Sequence, residues 1–419
     1  MKILHAADLH IDSPLGGLAA YEGAPVEEIR GATRRATENL VQAAIEHEVD
    51  LVVVAGDVFD GDWRDYSTGL FWIGQLNRLN DAQIPVVMIS GNHDAASVVS
   101  KNLRLPPNTT LLSDGHPETK VFDDLGVAIV GQGYATRSVI DDLAVHYPAA
   151  DAGLFTLGLL HSSLTGRPGH DDYAPTSVEI LRGKGYQYWA LGHIHQREVV
   201  SRDPWIVYSG NIQGRHARET GPKGATLVTV EGARVANVEA IDLDVVRWHL
   251  CAVDASGLAS ADHVLAAVTE KFAALTAERG SRLVVARVEI TGASAAHDEM
   301  WRNPQGIEAE VRATARQLGG VWVEKVKLET RRLVDLERLR NDEAVAELSA
   351  RIDQLKSHPE LLEAFAPQFD ALRTKLAADV HVAAGAPLET SGIGGPEHLA
   401  QCLEASRELI IALLAEDAE

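Results

Sequence analysis

Five short clusters of histidine, aspartate and asparagine recur between residues 8 and 195: Asp8-Leu9-His10, Gly56-Asp57-Val58-Phe59-Asp60, Gly91-Asn92-His93-Asp94, His161, and Gly192-His193-Ile194-His195. Their donor atoms are nitrogen and oxygen, the types that hold divalent cations, and each cluster follows a short apolar run. In Asp8-x-His10 and His193-x-His195 the donors are two residues apart. That is the side-chain period of an extended strand, so both members of a pair point the same way. The glycines let the backbone turn sharply and approach a ligand closely. A single histidine at a strand end is ordinarily a hydrogen-bonded core or rim residue, and a GD or GN dipeptide is ordinarily a turn. Five clusters in order, each at a strand terminus, point instead to a metal centre. The potential ligands oversupply one ion, so two are implied. Mixed imidazole, carboxylate and amide donors suit manganese, iron or zinc better than magnesium or calcium.

The elements that must position these clusters can be read from apolar patterning. Ile3–Ala7, Leu51–Ala55, Val86–Ser90, Val127–Gly131, Phe155–Leu160, Tyr188–Leu191, Trp205–Tyr208 and Ala225–Val230 are short, often β-branched runs bounded by Gly, Asp or Pro, and they predict strands. A helix is predicted over Pro25–His47, with Pro25 in its first turn, Glu27 and Glu28 at its N-terminus, and Ile29, Ala32, Ala36, Leu40 and Ala44 at helical spacing. Strands at helix-length separation with two-sided apolarity imply an α/β layered architecture with buried sheets. In such sheets ligands bind beyond the carboxyl ends of the strands, so the five clusters should converge on one crevice. Residues 241–330 read as a smaller α+β unit. Its strands would be Val246–Val253, Leu283–Ile290 and Val321–Leu328, and one helix carries Val264, Val268, Phe272 and Leu275 on one face. From about Arg331 helix formers dominate; Val345, Leu348, Ile352 and Leu355 form a stripe, His381–Gly395 a loop, and Glu397–Ala418 a last helix. Three domains are expected: 1–240, 241–330 and 331–419.

The ordered set D-x-H, G-D-x-x-D, G-N-H-D, H and G-H-x-H resembles that of the calcineurin-like metallophosphoesterases. The resemblance implies a two-sheet β-sandwich flanked by helices in four layers. It also implies that one metal is held by Asp8, His10 and His195, the other by Asn92, His161 and His193, with Asp57 bridging. His93 would not ligate; it would act as general acid, with Asp60 fixing its imidazole and Asp94 behind. The implied reaction is phosphoester hydrolysis by a hydroxide bridging the two metals. The opening HAADLHIDSPL and the stretch Tyr208–Gly221, followed by Lys223-Gly224, further resemble the bacterial DNA-repair exonucleases of the SbcD/YhaO type. In that group a small α+β domain caps DNA, and a helical C-terminal part docks an SMC-like coiled-coil ATPase. The resemblance thus implies a manganese-activated DNA exonuclease/endonuclease of 3′-to-5′ polarity, acting in DNA repair with such a partner. Arg215 and His216 would contact a phosphate or the scissile nucleotide. Related nucleases dimerise through helices near the active domain, which adds a second copy to the expected partners.

Composition sets bounds on these expectations. Thirty-eight basic side chains face 60 acidic ones, a net charge of −22. No Lys/Arg stripe is visible, unlike most nucleic-acid binders, so DNA contact must use a local cluster, bound cations or a partner. A small-molecule phosphodiesterase acting on cyclic nucleotides or nucleotide-linked compounds would share the same catalytic core. Against it stand about 180 residues beyond Ala240, which a small substrate hardly needs. A structural adapter with a relic site is disfavoured by the complete ligand set. Cys251 and Cys402 form no CxxC pattern, which excludes a disulfide scaffold. The start MKILHAADLHIDS places Asp and His where a signal peptide needs an apolar run, and no stretch reaches the roughly 18 apolar residues of a membrane span. A cytoplasmic protein without membrane contact is expected. Blander readings apply elsewhere. The charges of the Arg215-His216-x-Arg218 loop could pair with Glu219. Trp63, Arg64, Tyr66 and Trp72 could pack a helix rather than stack on a base, Trp301–Gln305 could be a plain loop, and the C-terminal stripe could pack on its own chain.

Overall fold

In a computed structural model of the chain, the residues described are 1–13, 25–26, 29, 31–60, 66–96, 103–164, 173–333, 343–356, 358, 360, 399–400 and 402–407. They fall into two compact units. The first takes in Met1–Val253, Leu265–Ile290 and Gln305–Leu328; the second takes in Asp254–Val264, Thr291–Pro304 and Glu329–Glu419.

The first unit is built on two six-stranded sheets. One contains β1 (Lys2–Ala6), β2 (Leu51–Ala55), β3 (Val86–Ile89) and β4 (Thr109–Leu111), parallel in that order. The other contains β5 (Glu118–Phe122), β6 (Val127–Gln132), β7 (Phe155–His161), β8 (Tyr188–Gly192), β9 (Glu198–Arg202) and β10 (Trp205–Tyr208), in the order β5-β6-β7-β8-β10-β9. β11 (Gly224–Glu231) and β12 (Arg234–Asp242) return to the first sheet antiparallel, giving the order β12-β11-β1-β2-β3-β4.

Every residue of β2, β7 and β8 is buried, which requires cover on both faces. On β2, Leu51, Val53 and Ala55 point between the sheets and meet Leu157, Leu159, Tyr188 and Ala190. Val52 and Val54 point the other way, as the period of two demands. They pack beneath α1 (Ala32–Glu46) and α2 (Tyr66–Asp81) through Leu40, Val41, Trp72 and Leu76. A short helix α3 (Asn92–Ala96) follows β3, and α4 (Val178–Gly183) covers Trp189 and Leu191 on the outer face of the second sheet through Leu181. The layers therefore run helix, sheet, sheet, helix, as expected.

Two differences from the sequence reading have physical causes. The four strands that patterning did not predict, β4, β5, β9 and β12, are the four outer edges of the two sheets. Edges need no two-sided apolarity, and β12 (RVANVEAID) has no fully buried residue. The predicted Pro25–His47 helix is regular only from Ala32, after Gly31; Val26 and Ile29 are helical positions in a segment described in part. Trp72 lies in the core, so packing explains it, whereas Tyr66 is exposed; Trp63 and Arg64 lie outside the described residues.

The third sheet has the order β13-β14-β15, with β13 Val246–Asp254, β14 Leu283–Ser294 and β15 Val321–Arg332. Helix α5 (Ala261–Glu278) buries Val264, Val268 and Phe272 on one face, with Leu275 half-buried. Trp301–Gln305 is not a plain loop. Trp301 and Arg302 end α6 (His297–Arg302), and Pro304 opens α7 (Pro304–Leu318), where its missing N–H costs nothing. In the second unit α8 (Glu343–Lys356) buries Ile352, and its Asp353 and Lys356 pair with Arg407 and Glu404 at 3.2 and 2.8 Å. That portion of the C-terminal stripe packs on its own chain. The side chain of Val345, the His381–Gly395 loop and most of Glu397–Ala418 lie outside the described residues. No described helix is long and apolar enough to cross a membrane.

Candidate metal centre

All five clusters lie at the carboxyl ends of β1, β2, β3, β7 and β8, three strands of one sheet and two of the other. The loops after β1 and β2 continue side by side: Asp8 N–H donates to Gly56 O at 3.0 Å, and His10 N–H to Asp57 O at 3.1 Å. Asp8, His10, Asp57 and His193 have φ of +52°, +43°, +55° and +93°. Left-handed conformations cost non-glycine residues about 1–3 kcal/mol each and persist where the surroundings over-determine them.

Here the surroundings are carboxylates that accept from the backbone. Asp8 accepts the His193 N–H at 3.0 Å and Asp57 accepts the His93 N–H at 2.9 Å. Asp94 accepts from Val58, Phe59 and Gly91 at 3.2, 2.9 and 3.0 Å, clasping the β2 loop to the β3 loop. Burial, then the nearby Asp57 charge, pushes Asp94 up to about 6, with the three N–H donors opposing. Asp94→Asn would set an amide N–H₂ against one of those donors. We expect a loss of about 1–2 kcal/mol, read as a lower urea midpoint at unchanged slope; an unaltered midpoint would remove Asp94 from the framework.

Inside the framework the donor atoms close on one another. Asp8, His10 and His195 form one set within 4.8 Å, and Asp8, Asp57 and His161 another. His10 Nε2 lies 3.2 Å from His195 Nε2. His161 Nε2 lies 2.9 Å from Asn92 Oδ1 and 3.4 Å from Asp57 Oδ2, and the His193 ring packs edge-on against that of His161 at 5.3 Å between centroids. All seven expected ligands are thus in one cluster.

The donor chemistry fits metal ions. His161 Nδ1 faces the Ala55 carbonyl at 2.8 Å, which can only accept, so Nδ1 carries the proton and Nε2 turns its other side inward. There it meets an amide oxygen and a carboxylate, a concentration of lone pairs that calls for a cation. The same demand shows in the acid–base properties of these side chains. Burial opposes charging His161, yet Asp57 carries its imidazole up to about 9, while His161, His10 and His93 hold Asp57 well below the ordinary carboxylate range despite its burial. His10 is pushed down to about 3 by burial and then by Arg215, which keeps its imidazole neutral, the form a metal ion can use.

His93 stands apart. Its Nδ1 lies 3.0 Å from Asp60 Oδ1, and its side chain is 29% exposed where His10 and His161 are at most 1%. The hydrogen bond to Asp60 raises its pKa, and Ser13 Oγ–H donates to the other Asp60 oxygen at 2.7 Å. The expected His93–Asp60 pair is present, and with His10 its donor atoms make a third set within 4.8 Å of one another.

The basic loop is folded rather than splayed. Arg215 Nη1 is 3.3 Å from Ser13 Oγ and 3.7 Å from Asp60 Oδ1, and Nη2 is 3.8 Å from Glu219 Oε1. His216 is half-exposed, with Nε2 3.4 Å from Glu219 Oε1. Arg215 therefore reaches the His93–Asp60 pair, and both residues also meet the glutamate that the blander reading proposed. Glu219 itself was read only as a counter-charge. It is buried against His195 Nδ1 at 2.7 Å, and no spacing in the sequence signals that approach.

Comparison with known proteins follows the same lines. Residues 1–197 match the family described as calcineurin-like phosphoesterase, and residues 248–331 match the one described as metallophosphoesterase YhaO, middle domain. The chain is 32% identical over 375 residues to the uncharacterized metallophosphoesterase YhaO of Bacillus subtilis (strain 168), covering 86% of this chain and 91% of that one. It is 28% identical over 231 residues to the DNA double-strand break repair protein Mre11 of Haloferax volcanii, and 25% identical over 253 residues to the Mre11 of Methanosarcina mazei. Those matches cover 54% and 55% of this chain but only 49% and 36% of the relatives. With the donor cluster at its strand ends and a match to the YhaO middle domain later in the sequence, this chain belongs to the calcineurin-like metallophosphoesterases, hydrolases that use divalent metal ions.

Proposed function

We propose that this metallophosphoesterase is a DNA nuclease, cleaving phosphodiester bonds from 3′ ends with manganese as activator and working in DNA repair beside an SMC-like ATPase. The observation that carries the reading is the division of labour at the strand ends: a buried donor cluster, and next to it a half-exposed His93 held by Asp60. The similarity to two proteins named for DNA double-strand break repair supports DNA as the substrate.

Asp8, His10 and His195 would hold one ion and Asn92, His161 and His193 the other, with Asp57 shared. When bound, two dications activate a water and absorb charge on the phosphate oxygens. The chain supplies the rest. His93 Nδ1–H donates to Asp60, which leaves Nε2 to carry the proton required by the leaving oxygen. Arg215, lodged against Asp60, fixes that carboxylate and turns positive charge toward the phosphate. Manganese in place of a basic stripe reconciles a net charge of −22 with a polyanionic substrate.

The test is a digestion time course on linear DNA labelled separately at each 5′ end, with manganese or with chelator. Manganese-dependent shortening from the 3′ ends is expected. DNA left intact while bis-p-nitrophenyl phosphate is hydrolysed would turn the reading toward a small phosphodiester, unless adding a candidate ATPase partner restores digestion.

A further inference from the structure

We infer that Glu219 is the positioning residue of the metal centre, setting the tautomer of His195 and tying it to the loop that carries Arg215. The carboxylate is buried, and its Oε2 faces two N–H donors, the Arg215 amide and Asn211 Nδ2, so the group stands here as an acceptor. At 2.7 Å from Glu219 Oε1, His195 Nδ1 must therefore carry the ring proton, which leaves Nε2 as a bare lone pair facing His10 Nε2.

The second oxygen does separate work. Oε2 accepts from Arg215 N–H at 2.7 Å and from Asn211 Nδ2 at 2.9 Å, closing the loop around the carboxylate. The backbone of His195 is gripped as well. Its carbonyl accepts from Lys223 Nζ at 2.8 Å and from Asn211 N–H at 3.3 Å, and Lys223 is itself buried. Ring, carbonyl and loop thus depend on one short segment, and Glu219 is the group common to the imidazole and the loop. An outer carboxylate of this kind makes an imidazole a better ligand and fixes its direction.

This role rests on the metal-centre reading above and not on DNA as the substrate. The test is calorimetric titration of the EDTA-stripped full chain with manganese, in the wild type and in Glu219→Gln. The amide keeps the size of the side chain but cannot satisfy three donors. Two equivalents bound by the wild type, one of them weakened about 10–100-fold by the substitution, is the expected result. Equal affinities in the two chains would overturn the assignment. A wild type that takes up no manganese would overturn both this role and the metal reading, whereas DNA hydrolysis does not enter the measurement.

Should Glu219→Gln fail to fold, the wild type alone decides. In the stripped, histidine-¹⁵N-labelled chain, the His195 ring signals, identified by their loss in His195→Gln, should show the proton on Nδ1. A proton on Nε2 would overturn the assignment.

Discussion

His93→Asn should lower phosphodiester turnover by about 10²–10⁴-fold, the usual contribution of a positioned general acid, while leaving bound manganese unchanged. The asymmetry follows from where the ring points. His93 Nδ1 is committed to Asp60 at 3.0 Å, and the two ligand sets containing Asp8 close without it. Asparagine retains a donor that can reach Asp60 but has no proton to give at a useful pKa. The framework should tolerate the change, because it is the backbone N–H of His93, not its ring, that donates to Asp57. Turnover of bis-p-nitrophenyl phosphate and metal content measured on one preparation separate the outcomes. Turnover within a factor of two of the wild type would falsify the role given to His93. Loss of metal together with activity would make His93 a ligand.

How far this site could be read from the sequence depended on how each residue acts. The seven donors were legible because chemical type and strand-end position are both written locally: Asp8 and His10 follow β1 and His193 and His195 follow β8, whatever the rest of the fold does. The buried strands were legible for a similar reason, since β2, β7 and β8 need apolar residues on both faces. The edges were not. β5 (ETKVF) and β12 (RVANVEAID) are strands because a neighbour pairs with them, along Glu118–Phe122 and Arg234–Asp242 respectively, and half-solvated polar residues bear no mark of that pairing.

Glu219 escaped for a further reason. Its significance lies in a partner 24 residues away, His195, brought close only by the closure of the loop, and the contact of the expected Arg215 with Ser13, 202 residues away, is hidden in the same way. A basic triplet next to a glutamate looks the same in the sequence whether it faces solvent or folds inward. The start signals at Pro25, Glu27 and Glu28 precede Gly31, after which the continuous helix begins at Ala32; before it, Val26 and Ile29 are helical positions, and Ile29 N–H donates to Pro25 O at 3.1 Å.

Gly192→Ala should destabilise the chain's first unit by at least about 3 kcal/mol, at the upper end of what overpacking costs. Gly192 ends β8, opposite His161 at the end of β7. A Cβ there would lie 2.0 Å from Ala55 O, at the end of β2 in the other sheet, and 2.8 Å from His161 Nδ1. Those two atoms are already bonded to each other at 2.8 Å. The methyl therefore has to part the two sheets where both bring expected ligands together, and the hydrogen bond that orients His161 is the first to be lost. Metal affinity should fall with stability, which distinguishes this substitution from ordinary core damage. The matched control is Gly74→Ala. Gly74 lies within α2 with nothing inside 4 Å of the added methyl, so the same chemical change should instead stabilise by about 0.5–1 kcal/mol through helix propensity alone. Urea unfolding of the two variants beside the wild type reads both effects. If Gly192→Ala unfolds at the wild-type midpoint, the sheets at the metal centre are not in the close contact on which the whole arrangement of ligands depends.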